Sequence, residues 1–117
     1  MSEEFIQLDD MLKLYNPTLS PLTRQRYATN FLLILKKLDC TLTYLIEYPN
    51  DTIDKLKKLY PNENTLKSKI ISIISILKYL PTNNSIYLYQ QFLNDINQHT
   101  YIEYIANKTM KDFMGGG

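Results

Sequence analysis

The chain has 117 residues, of which 44% are hydrophobic and 21% charged, and its formal net charge is +1. This length and composition predict one globular domain whose core is large enough to fold without disulfides. The single Cys40 excludes an internal disulfide and a cysteine-based zinc site. No stretch approaches the roughly 18 consecutive apolar residues of a membrane span, and Glu3 and Glu4 stand where a signal peptide would be basic. We therefore expect an intracellular protein that does not enter a membrane.

The small net charge hides an uneven distribution of charge along the sequence. Residues 20–80 contain ten Lys or Arg against five Asp or Glu, whereas residues 1–19 and 81–117 each carry a net negative charge. A basic middle is compatible with a polyanionic partner. A solvated surface with ordinary local bias is the alternative, and charge alone does not separate the two.

Two helices are predicted in the first third of the chain. The first has Ser2 as its N-cap and ends by Asn16, because the proline that follows disfavours helical geometry in the residue before it. The second has Ser20 as its N-cap and Pro21 at its first position, and it runs to about Leu38. Their apolar stripes consist of Phe5, Leu8, Leu12 and Tyr15 in the first helix and of Tyr27, Ala28, Phe31, Ile34, Leu35 and Leu38 in the second.

The middle of the chain predicts two short helical pieces followed by a long central helix. Prolines interrupt residues 40–63, and Asp51 is the expected cap of the second short piece. The central helix is expected over Asn64–Leu80, with Asn64 or Thr65 as its cap. Its apolar residues recur with the helical period, at Leu66, Ile70, Ile73, Ile74, Leu77 and Leu80. The opposite face is expected to be exposed and available to a negatively charged partner; it consists of Lys67, Ser68, Lys69, Ser72 and Ser75.

A last helix is expected from Ser85 to about Lys111, and its apolar residues form two stripes. A helix that is apolar on two sides either lies deep in its own bundle or serves a second surface on a partner chain. The candidate partner-interface residues are Tyr89, Leu93, Ile96, Ile102 and Met110. The predicted organisation is a helical domain over residues 1–81, a C-terminal helix over 82–114 that packs on the domain or on a partner, and a flexible glycine tail over 115–117.

Two segments carry a pattern typical of a known family. They read SPLTRQRYATNFLLILKKL over residues 20–38 and NTLKSKIISIISILKYL over residues 64–80. They resemble the S-x-x-T-x-x-x-Y second helix and the T-x-x-x-x-x-x-I-x-x-x-L-K-Y-L fourth helix of the N-terminal core-binding (SAM-like) domain of tyrosine recombinases and phage integrases. Similar versions occur in integrase-like proteins of large DNA viruses, which implies the host cytoplasm, the host nucleus or the virion as a location. The resemblance covers residues 3–81 and implies an all-α fold, a compact four- to five-helix orthogonal bundle with a long C-terminal exit helix.

The resemblance implies a DNA-binding module that forms half of a clamp on duplex DNA. In the family, the second and fourth helices approach the major groove. Lys and Arg would neutralise phosphates, while hydroxyl groups and helix N-termini would position the backbone. For each residue a helix cap or a solvated surface position is the alternative. The implied DNA-facing residues are Thr23, Arg24, Arg26 and Asn30 on one helix and Thr65, Lys67, Ser68, Lys69 and Ser72 on the other.

The chain lacks the residues for the strand cleavage that recombinases perform. That chemistry uses a tyrosine nucleophile surrounded by arginines and a histidine, and the sequence contains only Arg24, Arg26 and His99 of these supporting types. His99 has Asp95 and Glu103 one helical turn away, but this set matches no known metal-site pattern. We therefore expect no catalytic residues, no metal, no cofactor and no small-molecule substrate, and we interpret the chain as a binding domain, excised or stand-alone.

A competing interpretation is a protein–protein module that forms homo-oligomers or scaffolds through the last helix. Tyrosines on that helix would suit such an interface. The two interpretations differ in their salt dependence. DNA binding should weaken steeply with salt and depend on the basic residues, whereas assembly should tolerate salt and depend on the last helix.

Overall fold

The structure is a computed structural model, and it describes residues 2–80 and 84–98. These residues are mostly helical and contain no β-strand, so the prediction of an all-α fold is confirmed. The helices are α1 (Glu3–Tyr15), α2 (Pro21–Leu38), α3 (Leu42–Glu47), α4 (Pro49–Leu59), α5 (Glu63–Leu77) and α6 (residues 85–98 of the described part).

The predicted starts of the first two helices are confirmed by their caps. The Ser2 hydroxyl accepts a hydrogen bond from the Phe5 N–H at 3.2 Å, and the Ser20 hydroxyl accepts one from the Thr23 N–H at 3.2 Å. Each bond satisfies a backbone donor that has no partner within its own helix. Pro21 occupies the first position of α2, where a missing N–H costs nothing.

Two predicted caps in the middle of the chain are wrong. Asp51 lies inside the first turn of α4, because Pro49 already starts that helix and needs no donor partner there. The cap of α5 is Asn62, whose side chain accepts from the Thr65 N–H at 3.2 Å, so the helix begins one residue before Asn64. It also ends at Leu77 rather than at Leu80, and the last residues form tight turns.

Helix α2 lies between α1 and α5, and both neighbours run antiparallel to it. Asp9 of α1 meets Arg24 in the first turns of α2, and Ser72 of α5 meets Asn30 near the middle of α2. Lys37 near the end of α2 and Lys69 in the second turn of α5 both approach the ring of Tyr60, so the N-terminal end of α5 lies beside the C-terminal half of α2. One hydrophobic core joins all six helices; its buried members are Leu12, Phe31, Ile34, Leu45, Ile53, Leu56, Leu66, Ile70, Ile73, Ile76, Leu77, Tyr89 and Ile96.

The described part of α6 belongs to this core. Tyr89 is 0% exposed, Ile96 is buried, and Leu93 is half-buried against the same cluster. The expectation that Tyr89 and Ile96 face a partner chain is therefore wrong, because both side chains are buried in the core of this chain. Two other candidate interface residues, Ile102 and Met110, lie outside the described residues. The same holds for His99 and for the predicted helix end near Lys111.

A buried hydrogen bond ties α6 to α3. The Tyr89 hydroxyl donates to the Leu45 carbonyl at 2.7 Å in a buried environment. In a continuous helix the Leu45 carbonyl would accept from the N–H of residue 49, but Pro49 has none. Tyr89 thus supplies the donor that the break between α3 and α4 removes. Burial raises the pKa of Tyr89, so the hydroxyl stays protonated and remains a donor at neutral pH.

We predict that Tyr89→Phe lowers the free energy of unfolding by about 1 to 3 kcal/mol, because it leaves the buried Leu45 carbonyl without a donor while it keeps the ring. Urea unfolding followed by circular dichroism measures this change. An unchanged midpoint would mean that water replaces the hydroxyl at the carbonyl.

Candidate functional site

Polar side chains from α2 and α5 meet in one hydrogen-bonded network. The Asn30 side-chain N–H donates to the Ser72 hydroxyl at 3.1 Å, and the Lys69 ammonium donates to the Asn30 side-chain oxygen at 2.8 Å. The Ser72 hydroxyl in turn donates to the Ser68 carbonyl at 3.0 Å. The side chains of three of the nine residues predicted to face DNA are therefore in contact with one another, although they come from two helices.

The sequence pattern predicted that Ser72 lies on an exposed face of α5, and this prediction is wrong. It is 0% exposed, because Asn30 and the α2 backbone cover it where the two helices pack. The position accepts a polar residue because the hydroxyl is satisfied twice, by the Asn30 amide and by the carbonyl one turn earlier in its own helix. Ser72 is therefore a packing residue, and the surface that a ligand can reach begins at Asn30 and Lys69.

Two lysines converge on the ring of Tyr60, which lies in the connection between α4 and α5. The Lys69 ammonium is 5.2 Å from the ring centre, and the Lys37 ammonium near the end of α2 is 6.0 Å from it. Both distances lie within the range of attraction between a cation and an aromatic face. The Tyr60 hydroxyl is buried and has no hydrogen-bond partner among the described residues. The three side chains are called the lysine–tyrosine cluster below.

The lysine–tyrosine cluster brings two ammonium groups close to one uncharged aromatic ring. Burial lowers the pKa of Lys69, and the neighbouring charge of Lys37 lowers it further. Burial also raises the pKa of Tyr60, so the phenol carries no negative charge at neutral pH. Ion pairs elsewhere in the structure join Arg24 to Asp9 and Lys55 to Asp51.

Arg26 extends the positive charge of the lysine–tyrosine cluster along α2. The cluster together with Arg26 and Asn30 is called the basic surface below. Helical residues are about 100° apart around the axis, so residues 26, 30 and 37 fall on one line of α2. Arg26 and Lys37 are exposed, and Asn30 between them is half-buried against α5. The surface therefore has a cation at each end of its α2 side and the Asn30–Lys69 contact near its centre.

Arg24 has a different place from the one predicted. Its Nε donates to the Asp9 carboxylate at 2.6 Å, and its side chain is only 12% exposed. Two residues along the helix correspond to about 200°, so Arg24 lies on the side of α2 opposite Arg26. It joins α1 to α2 and is not available on the basic surface.

The remaining predicted residues lie at the edges of this surface or take part in helix starts. Thr23 is engaged with the Ser20 cap, since its hydroxyl accepts from the Ser20 hydroxyl at 2.8 Å. Thr65 is exposed one turn before Lys69, and its N–H donates to Asn62. Lys67 and Ser68 are half-buried, and the helical period places Lys67 well around α5 from the line that contains Thr65, Lys69 and Ser72.

Two members of the surface were not predicted as site residues. Lys37 follows Arg26 by 11 residues and Asn30 by seven. This spacing places the three residues on one face of a helix and so indicates Lys37 as a member of the surface. Tyr60 gives no such signal, because it lies in an irregular connection where no period predicts a direction. Its position beside the lysines depends on how α4 and α5 pack on α2.

Other sites in the described part of the chain do not suggest chemistry. A groove of about 920 Å³ between α1 and α2 has a mainly apolar lining that includes Cys40. Burial raises the pKa of Cys40, which disfavours the reactive thiolate. Residues 2–80 and 84–98 contain no group of three or more His, Cys, Asp or Glu placed to hold a metal ion. No helix within these ranges has the length and apolar character needed to cross a membrane.

Comparison with known proteins does not give a family for this chain. No protein-family model, no curated protein and no solved structure matches it. The resemblance to recombinase core-binding domains therefore stays a prediction from the two helical segments. The geometry of the basic surface is independent of that resemblance.

We predict that Tyr60→Phe raises the free energy of unfolding by about 1 kcal/mol, because it removes a buried hydroxyl that has no hydrogen-bond partner among the described residues and keeps the ring near both lysines. Urea unfolding measures the change. Tyr89→Phe is the matched comparison, since the same atom is deleted where it does form a hydrogen bond. A loss of stability in Tyr60→Phe would show that the hydroxyl is satisfied in solution.

Proposed function

We propose that this protein is a non-catalytic module that binds duplex DNA through the surface between α2 and α5. The observation that carries the proposal is the network of Asn30, Lys69 and Ser72, in which both helices of the predicted DNA-facing pair contribute to one site. A network of this kind fixes Lys69 in place before a ligand arrives. Preorganised donors bind more tightly because less side-chain freedom is lost on binding.

The charge and length of the surface suit a nucleic acid backbone. Arg26 and Lys37 are 11 residues apart on one line of α2, which corresponds to about 16 Å. That distance is roughly five base-pair steps of duplex DNA at 3.4 Å each. Lys69 adds a third cation beside this line, where its ammonium group contacts Asn30 of α2.

The residue types favour recognition of the backbone over recognition of sequence. Lysines bind phosphates as point charges, and phosphate contacts position a protein on the duplex without reading bases. The Asn30 amide is already used by Ser72 and Lys69. Arg26 is exposed, and an arginine can pair with the edge of guanine. We therefore expect modest sequence preference, centred on Arg26.

Fluorescence anisotropy of a labelled duplex, repeated across salt concentrations, tests the proposal. We expect the logarithm of the association constant to fall linearly with the logarithm of the salt concentration, because bound cations release counterions from the duplex. The double variant Arg26→Ala/Lys37→Ala should bind more weakly and flatten the slope by about two units, one for each lost phosphate contact.

The matched control is Lys13→Ala/Lys78→Ala, which removes the same charge. Lys13 is in the last turn of α1 and Lys78 follows α5, so both lie at the opposite end of the helices from Lys37. This control should keep the slope of the parent protein. Equal losses of affinity in both double variants would show that DNA binding depends on the total charge and not on the surface between α2 and α5. An absence of binding at low salt would refute the proposal.

A further inference from the structure

We propose that the lysine–tyrosine cluster of Lys37, Tyr60 and Lys69 is a binding site for a single phosphate group, held between the two ammonium groups. The phosphate belongs either to a nucleic acid backbone or to a free phosphate compound, and both sources present the same tetrahedral oxyanion. The inference rests on the proposed function only where the phosphate comes from a nucleic acid backbone. A site for a free phosphate compound does not depend on DNA binding. The cluster itself is defined by the two ammonium-to-ring distances of 5.2 and 6.0 Å.

The aromatic ring gathers the two cations without cancelling their charge. A tyrosine face attracts an ammonium group through its quadrupole, yet the ring has no net charge to offer. Two positive groups that share one ring repel each other, and the repulsion is stronger where solvent is partly excluded. Burial is the main cause of the lowered pKa of Lys69, and the charge of Lys37 lowers it further. A bound anion would relieve the repulsion.

The geometry prepares Lys69 more than Lys37 for such a ligand. Lys69 is held at two points, by the Asn30 oxygen at 2.8 Å and by the Tyr60 ring. Lys37 is exposed and its ammonium group is farther from the ring, at 6.0 Å, so its side chain has more freedom to move toward a ligand. Lys69 lies in the second turn of α5, a helix that begins at Glu63 and has 15 residues.

Phosphate fits this site better than a carboxylate does. A phosphate group offers several oxygens to donors that approach from different sides, and its charge matches two lysines. Lysine binds it as a point charge and does not require the planar match that arginine makes with a carboxylate. The two ammonium groups come from different helices, which allows them to approach one tetrahedral group from separate directions.

Titration of the full chain with inorganic phosphate, followed by NMR of the lysine side-chain Cε–H groups, tests the site. We expect the resonances of Lys37 and Lys69 to shift together in a saturable way, while those of Lys13 and Lys78 stay in place. Lys37→Met and Lys69→Met keep the length of the side chain and remove the charge. Each should weaken phosphate binding more than tenfold, whereas Lys13→Met should leave it unchanged.

Substitution of Tyr60 tests whether its ring contributes to phosphate binding. Tyr60→Leu should weaken phosphate binding several-fold, because the two lysines lose the aromatic ring that both contact. Circular dichroism of each variant establishes that it is folded. A Tyr60→Leu variant that is folded and binds phosphate as tightly as the parent would overturn the role given to the ring.

A duplex titrated into the phosphate-saturated protein separates this inference from the proposed function. If the duplex displaces phosphate from Lys37 and Lys69, the site takes a backbone phosphate and both proposals stand. If phosphate binds there and the duplex does not, the site stands with a free phosphate compound as its ligand and the DNA proposal fails. If the duplex binds and inorganic phosphate shifts neither lysine, the phosphate site is refuted and the DNA proposal stands.

Discussion

The close contact between α2 and α5 is the constraint on which the rest of the structure depends. Phe31 and Ile34 of α2 and Ile70 and Ile73 of α5 are all buried in it, and burial of such side chains contributes about 1.5 to 3 kcal/mol each before entropy is subtracted. A small polar residue, Ser72, is buried within the contact and accepts a hydrogen bond from Asn30 of α2. Helix α1 then covers the other side of α2, and α3, α4 and α6 close the remaining apolar surface.

The same contact shapes the basic surface, so packing and binding are not independent in this protein. Because Ser72 is covered by Asn30, the Asn30 oxygen is turned toward Lys69, and the lysine is drawn into a partly buried position. A partly buried cation beside a second cation is unfavourable for the unliganded fold. Proteins tolerate such local costs at binding sites when the rest of the core is strong enough to bear them.

Local rules account for much of the fold but for less of the candidate site. Ser2 and Ser20 were predictable as caps because hydrogen bonds over three residues determine them. Asp51 was misplaced because two acceptable helix starts compete within a few residues, and Pro49 prevails. Ser72 was expected at the surface because a polar residue on a polar stripe gives no sign that another helix will cover it. The position of Tyr60 beside two lysines depends on contacts between distant segments, which periodicity does not contain.

The hydrogen bond between Tyr89 and the Leu45 carbonyl also has a consequence for how the chain folds. Its two partners are 44 residues apart, so the connection between the short helices is completed only when the C-terminal part of the chain arrives. Long-range contacts of this kind raise the contact order and slow folding relative to a simple hairpin of helices. They also join α3, α4 and α6 into one cooperative unit, whose backbone amides are expected to exchange with solvent together.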